Sequence, residues 1–273
     1  MGRVINRRPG RGLQLLLGAL PFVVLAAVYL AASDARLSIN PADKLLPSLQ
    51  SFTEAIDRLA FQPDSRKGTY ILWADTAASL LRLCLGLVIA TGIGLSAGVA
   101  IGLLPMVRAA FAPLVAALSM VPPLAVLPIL FIVFGLGELA KVTLIVIGIT
   151  PFLMRDLSMS VAALPREQLV KAQTLGASTW QIATRVVLPQ ILPRLIGGLR
   201  LSLGPAWLFL ISGEAIAATE GLGYRIFLVR RYLAMDVILP YVAWITLLAF
   251  MLDFLLRRLS RRAFDWMPEE QRQ

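Results

Sequence analysis

Few side chains capable of covalent or metal chemistry occur in this 273-residue chain. It has no histidine and a single cysteine, Cys84, set in an apolar stretch. A histidine general base, a Ser-His-Asp triad, a His or Cys zinc site and an intrachain disulfide are therefore excluded, and no metal site is expected. Cys84 reads as a small packing residue. The four lysines, Lys44, Lys67, Lys141 and Lys171, never stand in the Gly-Lys-Ser/Thr context that cradles nucleotide phosphates. The chain cannot hydrolyse ATP by that route and is expected to be non-catalytic, with no cofactor of its own. Energy for any driven process must enter from another subunit.

The most patterned polar segment runs from Gln168 to Trp180 and on through Leu188-Pro189 and Leu192-Pro193, inside an otherwise oily chain. Pro165 suits the first turn of a short helix, Gly176 can end it with φ > 0, and Ser178 with Gln181 three residues on resembles a capping box opening a second helix. Two short helices joined at a glycine make a compact knuckle, the form of a docking site for a partner. Trp180 suits a partner's groove, although a tryptophan at the lipid boundary has the same sequence signature.

The elements that position this knuckle are membrane spans. Hydrophobic residues make up 58% of the chain and its mean hydropathy is +0.78, against an apolar share of about 45–50% in soluble domains. The net charge of +10 would suit nucleic acid in a soluble protein, but here the arginines flank apolar spans, so positive-inside topology accounts for them and no nucleic acid is expected. A helix needs about 20 apolar residues to cross the bilayer. Six segments meet or approach that, at 13–33, 77–104, 108–135, 139–161, 194–215 and 237–257. The fold class is all-α, a polytopic membrane protein with about six helices and a cytoplasmic loop around Gly176. Arg3, Arg7, Arg8 and Arg11 before the first span, and Arg257, Arg258, Arg261 and Arg262 after the last, make both termini cytoplasmic. The loop over 34–74 lacks a positive excess and faces the other side. The first span is longer than a signal-peptide core and reads as a retained helix. Apolar residues at near-helical spacing from Pro41 to Phe61 predict an amphipathic helix at the outer interface, which either packs on the body of the protein, the favoured reading, or touches an external binding protein.

Within the spans, Gly86, Ala90, Gly94, Gly98 and Gly102 line one helix face, a small-residue stripe that lets another helix approach in a dimer or bundle interface. Pro113, Pro122, Pro123 and Pro128 predict a third span broken near Met120–Leu124. Broken backbone at membrane depth is tolerated where it is buried or lines a wet cavity, so Ser119, Met120, Pro122 and Pro123 are candidates for a translocation path or gate. Intramembrane charge reads as nearly absent, with Arg82 near the outer end of its span and Arg200 near an inner end. Glu214 and Glu220, after the fifth span, are expected either to meet solute or to pair with Arg225, Arg230 or Arg231. The scarcity of carboxylates and the lack of an inverted repeat speak against an ion-coupled secondary transporter, the alternative reading.

The knuckle resembles the cytoplasmic EAA loop of permease subunits of bacterial ATP-binding-cassette importers, in which a coupling helix sits in a groove of the ATPase. The family's glycine corresponds to Gly176 and its Leu-Pro to Leu188-Pro189. The opening Glu-Ala-Ala is here Val170-Lys171-Ala172, matching only at its third member, so the family's glutamate is replaced by Val170. The resemblance covers roughly 75–258, through Val121-Pro122-Pro123-Leu124-Ala125, Phe134-Gly135-Leu136-Gly137-Glu138 and Gly221-Leu222-Gly223-Tyr224, which look like the nitrate, sulfonate and taurine branch. It implies a permease core at 75–258, preceded by a cytoplasmic N-terminus at 1–12 and a first helix with outer loop at 13–74, and followed by a cytoplasmic tail at 259–273. It further implies a bacterial inner-membrane location, ATPase subunits that bind the ATP, an external solute-binding protein and a homodimer. Coupling falls to Ala172, Gly176, Ala177, Ser178, Thr179 and Trp180, with Leu188, Pro189 and Pro193 at the exit of the loop. The implied solute is nitrate, a sulfonate, taurine or bicarbonate, while the run Tyr224 to Asp236 looks more like a subgroup associated with urea- or guanidine-related nitrogen compounds.

Overall fold

The computed structural model describes residues 10–41, 43–64 and 68–264. Arg3, Arg7 and Arg8 and most of the proposed tail lie outside them. All regular structure among the described residues is helical: α1 (Arg11–Ile39), α2 (Leu49–Ile56), α3 (Ile71–Leu103), α4 (Pro105–Leu118), α5 (Pro123–Phe134), α6 (Glu138–Ala162), α7 (Arg166–Thr174), α8 (Thr179–Gln181), α9 (Leu188–Ala217), α10 (Leu222–Arg230) and α11 (Met235–Ala263). By length and composition, five helices among the described residues can cross a membrane, and six if α4 and α5 count as one bent span.

The helices are longer than the apolar runs that announced them. α3 begins at Ile71 and α1 continues to Ile39. The hydropathy boundary falls where charged residues begin, whereas the helices themselves continue through Asp34 and Arg36 in α1 and Asp75 in α3. α1 stands apart from the body, and none of its most apolar window is buried. Only its end is tied down, by Tyr29 Oη donating to Pro47 O at 2.8 Å and Ser33 Oγ donating to Leu46 O at 3.0 Å. Beyond it, the Arg36 guanidinium pairs with Asp43 and holds that carboxyl below its ordinary range.

The centre of the body is the parallel pair α3 and α6. A Cβ added at Gly86, Gly94, Gly98 or Gly102 falls 2.7, 2.8, 2.8 or 2.5 Å from Ile145, Leu153, Leu157 or Val161 respectively. The small-residue stripe therefore seats α6 of the same chain, with the two helices running in one direction. α9 runs antiparallel to them, with Gly198 against Leu153 and Gly213 against Lys141. Leu83, Leu144, Leu153, Ala206 and Leu210 close the main core, while Leu157, Val161, Val187, Ile191 and Leu195 form a second cluster near the end of α6. Cys84, expected to pack, is exposed on α3. It falls off the glycine face and so points away from α6.

α2 is shorter than the expected helix. Ser48 caps it by accepting from Ser51 N at 3.2 Å, and it passes into a π-helical turn over Asp57–Phe61. It buries Ala55, Leu59 and Ala60, Trp73 Nε1 donates to Ala60 O at 3.1 Å, and Trp73 stacks edge-on against Trp244 at 5.6 Å. Leu45 and Leu49 stay exposed. The bent span breaks within the predicted stretch: α4 and α5 meet at 95°. Pro122 and Pro123 supply no N–H, so the chain turns through Met120 N to Ala117 O at 3.1 Å and Val121 N to Leu118 O at 3.2 Å before Pro123 opens α5.

Candidate coupling knuckle and buried charge cluster

The knuckle is built by local hydrogen bonds. At the end of α7, Gly176 has φ +80°, its N–H donates to Gln173 O at 2.9 Å, and Ala177 N donates to Ala172 O at 3.0 Å. These two bonds define a Schellman motif, and the left-handed residue at its centre is the reason for a glycine. Across the turn, Ser178 Oγ accepts from Gln181 N at 3.3 Å while Gln181 Oε1 accepts from Ser178 N at 2.8 Å, closing the capping box.

This geometry divides the candidate residues. Ala172 and Ala177 face inward against the second core cluster, Gly176 and Ser178 set the backbone, and Thr179 opens α8. Trp180 alone among the six offers a large exposed apolar surface, at 76%, and it is joined by Leu175 at 79% and by Val170 at 58%. Sequence reasoning passed over Val170 and Leu175 as docking residues. Their signal was two branched apolar residues ahead of a glycine in a polar segment.

The expected loop exit through Leu188, Pro189 and Pro193 is a continuous helix instead. α8 passes through a π-helical turn over Ile182–Val187 directly into α9, and the helical stretch runs from Thr179 to Ala217, 39 residues. The π turn accommodates Pro189, which has no N–H to donate, with Leu188 N reaching back to Ala183 O. Pro189 is exposed and Pro193 is buried in the same rod. Arg194 binds Asp156 at 2.7 Å and Gln190 binds Gln168 at 3.0 Å, tying the rod to α6 and α7. A displacement of α8 is thus carried to α9 without an intervening hinge loop.

At the opposite end of the bundle, charged residues that the sequence scatters along α3, α6, α9 and α10 are gathered into one cluster. Asp75, Ser79 and Arg82 lie on one face of α3, and all three are buried. Asp75 accepts from Arg225 Nε at 2.8 Å, Gly221 N at 2.9 Å and Tyr241 Oη at 3.1 Å. Glu214, fully enclosed, accepts from Ser79 Oγ at 2.7 Å, Arg82 Nη1 at 2.7 Å and Gly223 N at 2.8 Å. Leu222 N donates to Ser79 Oγ at 2.8 Å, and Arg82 Nη1 also reaches Glu220 O at 2.9 Å. The N–H groups of the N-cap residue Gly221 and of Leu222 and Gly223, the first two residues of α10, are therefore capped by side chains of α3 and α9, an arrangement favoured by the positive end of the helix. Glu214 pairs with Arg82 rather than with Arg225, Arg230 or Arg231. The guanidinium of Arg225 is taken by Asp75, and Arg230 lies 4.9 Å from the Phe227 ring.

The Gly-Leu-Gly turn fits no larger residues. A Cβ on Gly221 would lie 2.6 Å from the Glu214 carboxyl, and one on Gly223 would lie 2.7 Å from Ile211 O. Arg82 further pairs with Glu138, which also accepts from Lys141 Nζ at 2.7 Å. The sequence signal for this cluster was the spacing of Asp75, Ser79 and Arg82 at helical intervals, hidden because Asp75 stood outside the apolar run.

The path candidates do not meet in one place. At the break, Ser119 Oγ donates to Val115 O at 2.6 Å, Met120 is 77% exposed, and Pro122 and Pro123 start α5. Ser119 Oγ also reaches Pro151 O at 3.5 Å, whereas Glu214 lies beside the first turn of α6, about 15 Å away by helix rise.

The family model for the binding-protein-dependent transport system inner membrane component matches residues 90–265. The taurine transport system permease protein TauC of Escherichia coli strain K12 is 38% identical over 262 residues, covering 96% of this chain and 92% of that protein. The bicarbonate transport system permease protein CmpB of Synechococcus elongatus is 31% identical, covering 77% and 74%. The putative aliphatic sulfonates transport permease protein SsuC of Bacillus subtilis is 28% identical, covering 71% of each chain. In fold, the chain is similar to a chain of the inward-facing MetNI methionine ABC transporter, with a TM-score of 0.62, 21% identity, and coverage of 73% of this chain and 99% of that one. Family model, relatives and fold agree, and this chain belongs to the binding-protein-dependent transport system inner membrane components, the multi-pass permease subunits of ATP-binding-cassette importers.

Proposed function

We propose that two copies of this chain form the translocation path of an importer powered by two separate ATPase subunits and supplied by an external solute-binding protein. The observation that carries this reading is the knuckle: a fixed turn displaying Val170, Leu175 and Trp180, mounted on a helix continuous with α9. Nucleotide-driven closure of the ATPases presses on α8, and the rod transmits the displacement through the bilayer to α10. Both termini and the knuckle lie in the cytoplasm, and the charge cluster lies at the outer end. The break at Ser119–Pro123 lines the path, since irregular backbone at that depth needs protein or water around it. Family membership disfavours an ion-coupled carrier. Similarity to permeases of taurine, sulfonate and bicarbonate systems favours those solutes over a urea- or guanidine-related compound.

The test is co-purification of the chain with ATP-binding-cassette ATPase subunits co-expressed from the same genome. Trp180→Asp combined with Leu175→Asp removes the apolar display without touching the buried core, and should abolish association while leaving the detergent-solubilised chain monodisperse. Full association of the doubly substituted chain would place the docking surface elsewhere.

A further inference from the structure

Glu138 is held in an unusual way for the most exposed member of a charge cluster. Its Oε1 accepts from Arg82 Nη2 at 2.9 Å and from Lys141 Nζ at 2.7 Å, and its Oε2 accepts from Arg82 Nε. The side chain of Arg82 is 5% exposed and that of Lys141 is 2% exposed, whereas that of Glu138 is 61% exposed. A flat guanidinium fork and an ammonium thus converge on one carboxylate that reaches them from the exposed side of the chain. Glu138 is also the first residue of α6 and follows the end of the bent span, where Gly135 has φ +73°.

We infer that Arg82 and Lys141 form a binding site for a small oxyanion, with the Glu138 carboxylate as an exchangeable plug that occupies it when no ligand is present. Within the cluster, Asp75 balances Arg225 and Glu214 balances one of the two cations, so departure of the Glu138 carboxylate leaves one buried positive charge uncompensated. That charge cannot relax into solvent, because both cations are enclosed. The Glu138 side chain can, because it is exposed. The vacated donors, Nε and Nη2 of Arg82 and Nζ of Lys141, match the two-oxygen geometry of a carboxylate, bicarbonate or sulfonate. The site lies at the outer mouth of the bundle, where an arriving solute first meets the chain. It rests on the reading of the solute as a small oxyanion and adds the residues that receive it.

The experiment uses the assembled complex in lipid nanodiscs and isothermal titration with methanesulfonate as probe. Replacing the plug by Glu138→Gln removes the competing carboxylate, so methanesulfonate should bind about tenfold more tightly than to the native complex, the effect of losing one charge-assisted competitor. Adding Lys141→Met to Glu138→Gln should abolish that gain. Equal affinity in native and Glu138→Gln complexes, or a gain indifferent to Lys141→Met, would overturn the proposal. Discs of zwitterionic phosphatidylcholine are compared with discs containing phosphatidylglycerol. Retention of the gain in both supports a solute site, whereas its loss only with the anionic lipid would assign the site to a lipid headgroup and overturn the solute assignment. Failure of the importer reading shows separately, as failure of the ATPase to associate, and the same titrations are then read on the chain alone in discs.

Discussion

Replacing Glu214 with leucine tests whether the charge cluster holds α10 in place. Glu214 is fully enclosed and accepts from Ser79, Arg82 and the Gly223 N–H. Leucine has similar bulk and no acceptor. It leaves the Gly223 N–H without a partner, at about 1–3 kcal/mol, and leaves the buried Arg82 and Lys141 charges with only Glu138 between them. Breaking a buried pair by removing one partner costs about 3–5 kcal/mol. A loss of that size corresponds to a fall of about 6–20 °C in the midpoint of thermal unfolding for a chain of this length. Arg82→Met combined with Glu214→Leu removes both charges and should recover the part of the loss due to the unpaired charge, since the remaining Glu138 and Lys141 still pair while the Gly223 N–H stays without its acceptor. The assay is thermal unfolding of the detergent-solubilised protein across the four-member cycle, with the interaction taken as the departure from additivity. An unchanged midpoint in Glu214→Leu, or a double variant as unstable as the sum of its parts, would refute the claim that this pair pins α10.

Two further outcomes follow from backbone geometry. Gly176→Ala meets no atom within 4 Å but must hold φ +80°, a conformation that costs an L-residue about 1–2 kcal/mol. It should weaken ATPase association about fivefold or more with little change in the thermal midpoint, measured by pull-down at graded subunit concentrations. Gly102→Ala forces a Cβ to within 2.5 Å of Val161 Cβ and 3.0 Å of Ser158 O, whereas Gly92→Ala on the open face meets nothing within 4 Å. The first should lower stability by about 1–3 kcal/mol and the second should be neutral, as read by thermal unfolding.

The spans, the bend and the capped knuckle were legible in the sequence because each is governed by local rules. Hydropathy over some twenty residues, consecutive prolines, and a glycine followed by Ser-x-x-Gln all act over short distances. The charge cluster was not legible, because its pairs join residues far apart in the chain. Ser79 meets Glu214 and Asp75 meets Tyr241 only once α3, α9 and α11 have packed. The same separation made Arg225, closer in sequence, seem the natural partner for Glu214. The small-residue stripe announced a close helix neighbour without naming it, and the neighbour is α6 of the same chain. The continuous rod from α8 into α9 escaped notice because Pro189 reads as a helix boundary, while a π turn lets the helix pass it.

The central claim, that this chain conducts solute under the drive of an ATPase docked on the knuckle, is tested most directly by uptake into proteoliposomes. Vesicles holding the chain with its ATPase are charged with ATP inside and given the solute-binding protein loaded with radiolabelled taurine or bicarbonate outside. The account predicts uptake that requires ATP and the binding protein, persists when ion gradients are collapsed, and vanishes in the Trp180→Asp, Leu175→Asp chain. Uptake driven by an ion gradient alone, with no ATP and no ATPase, would contradict it.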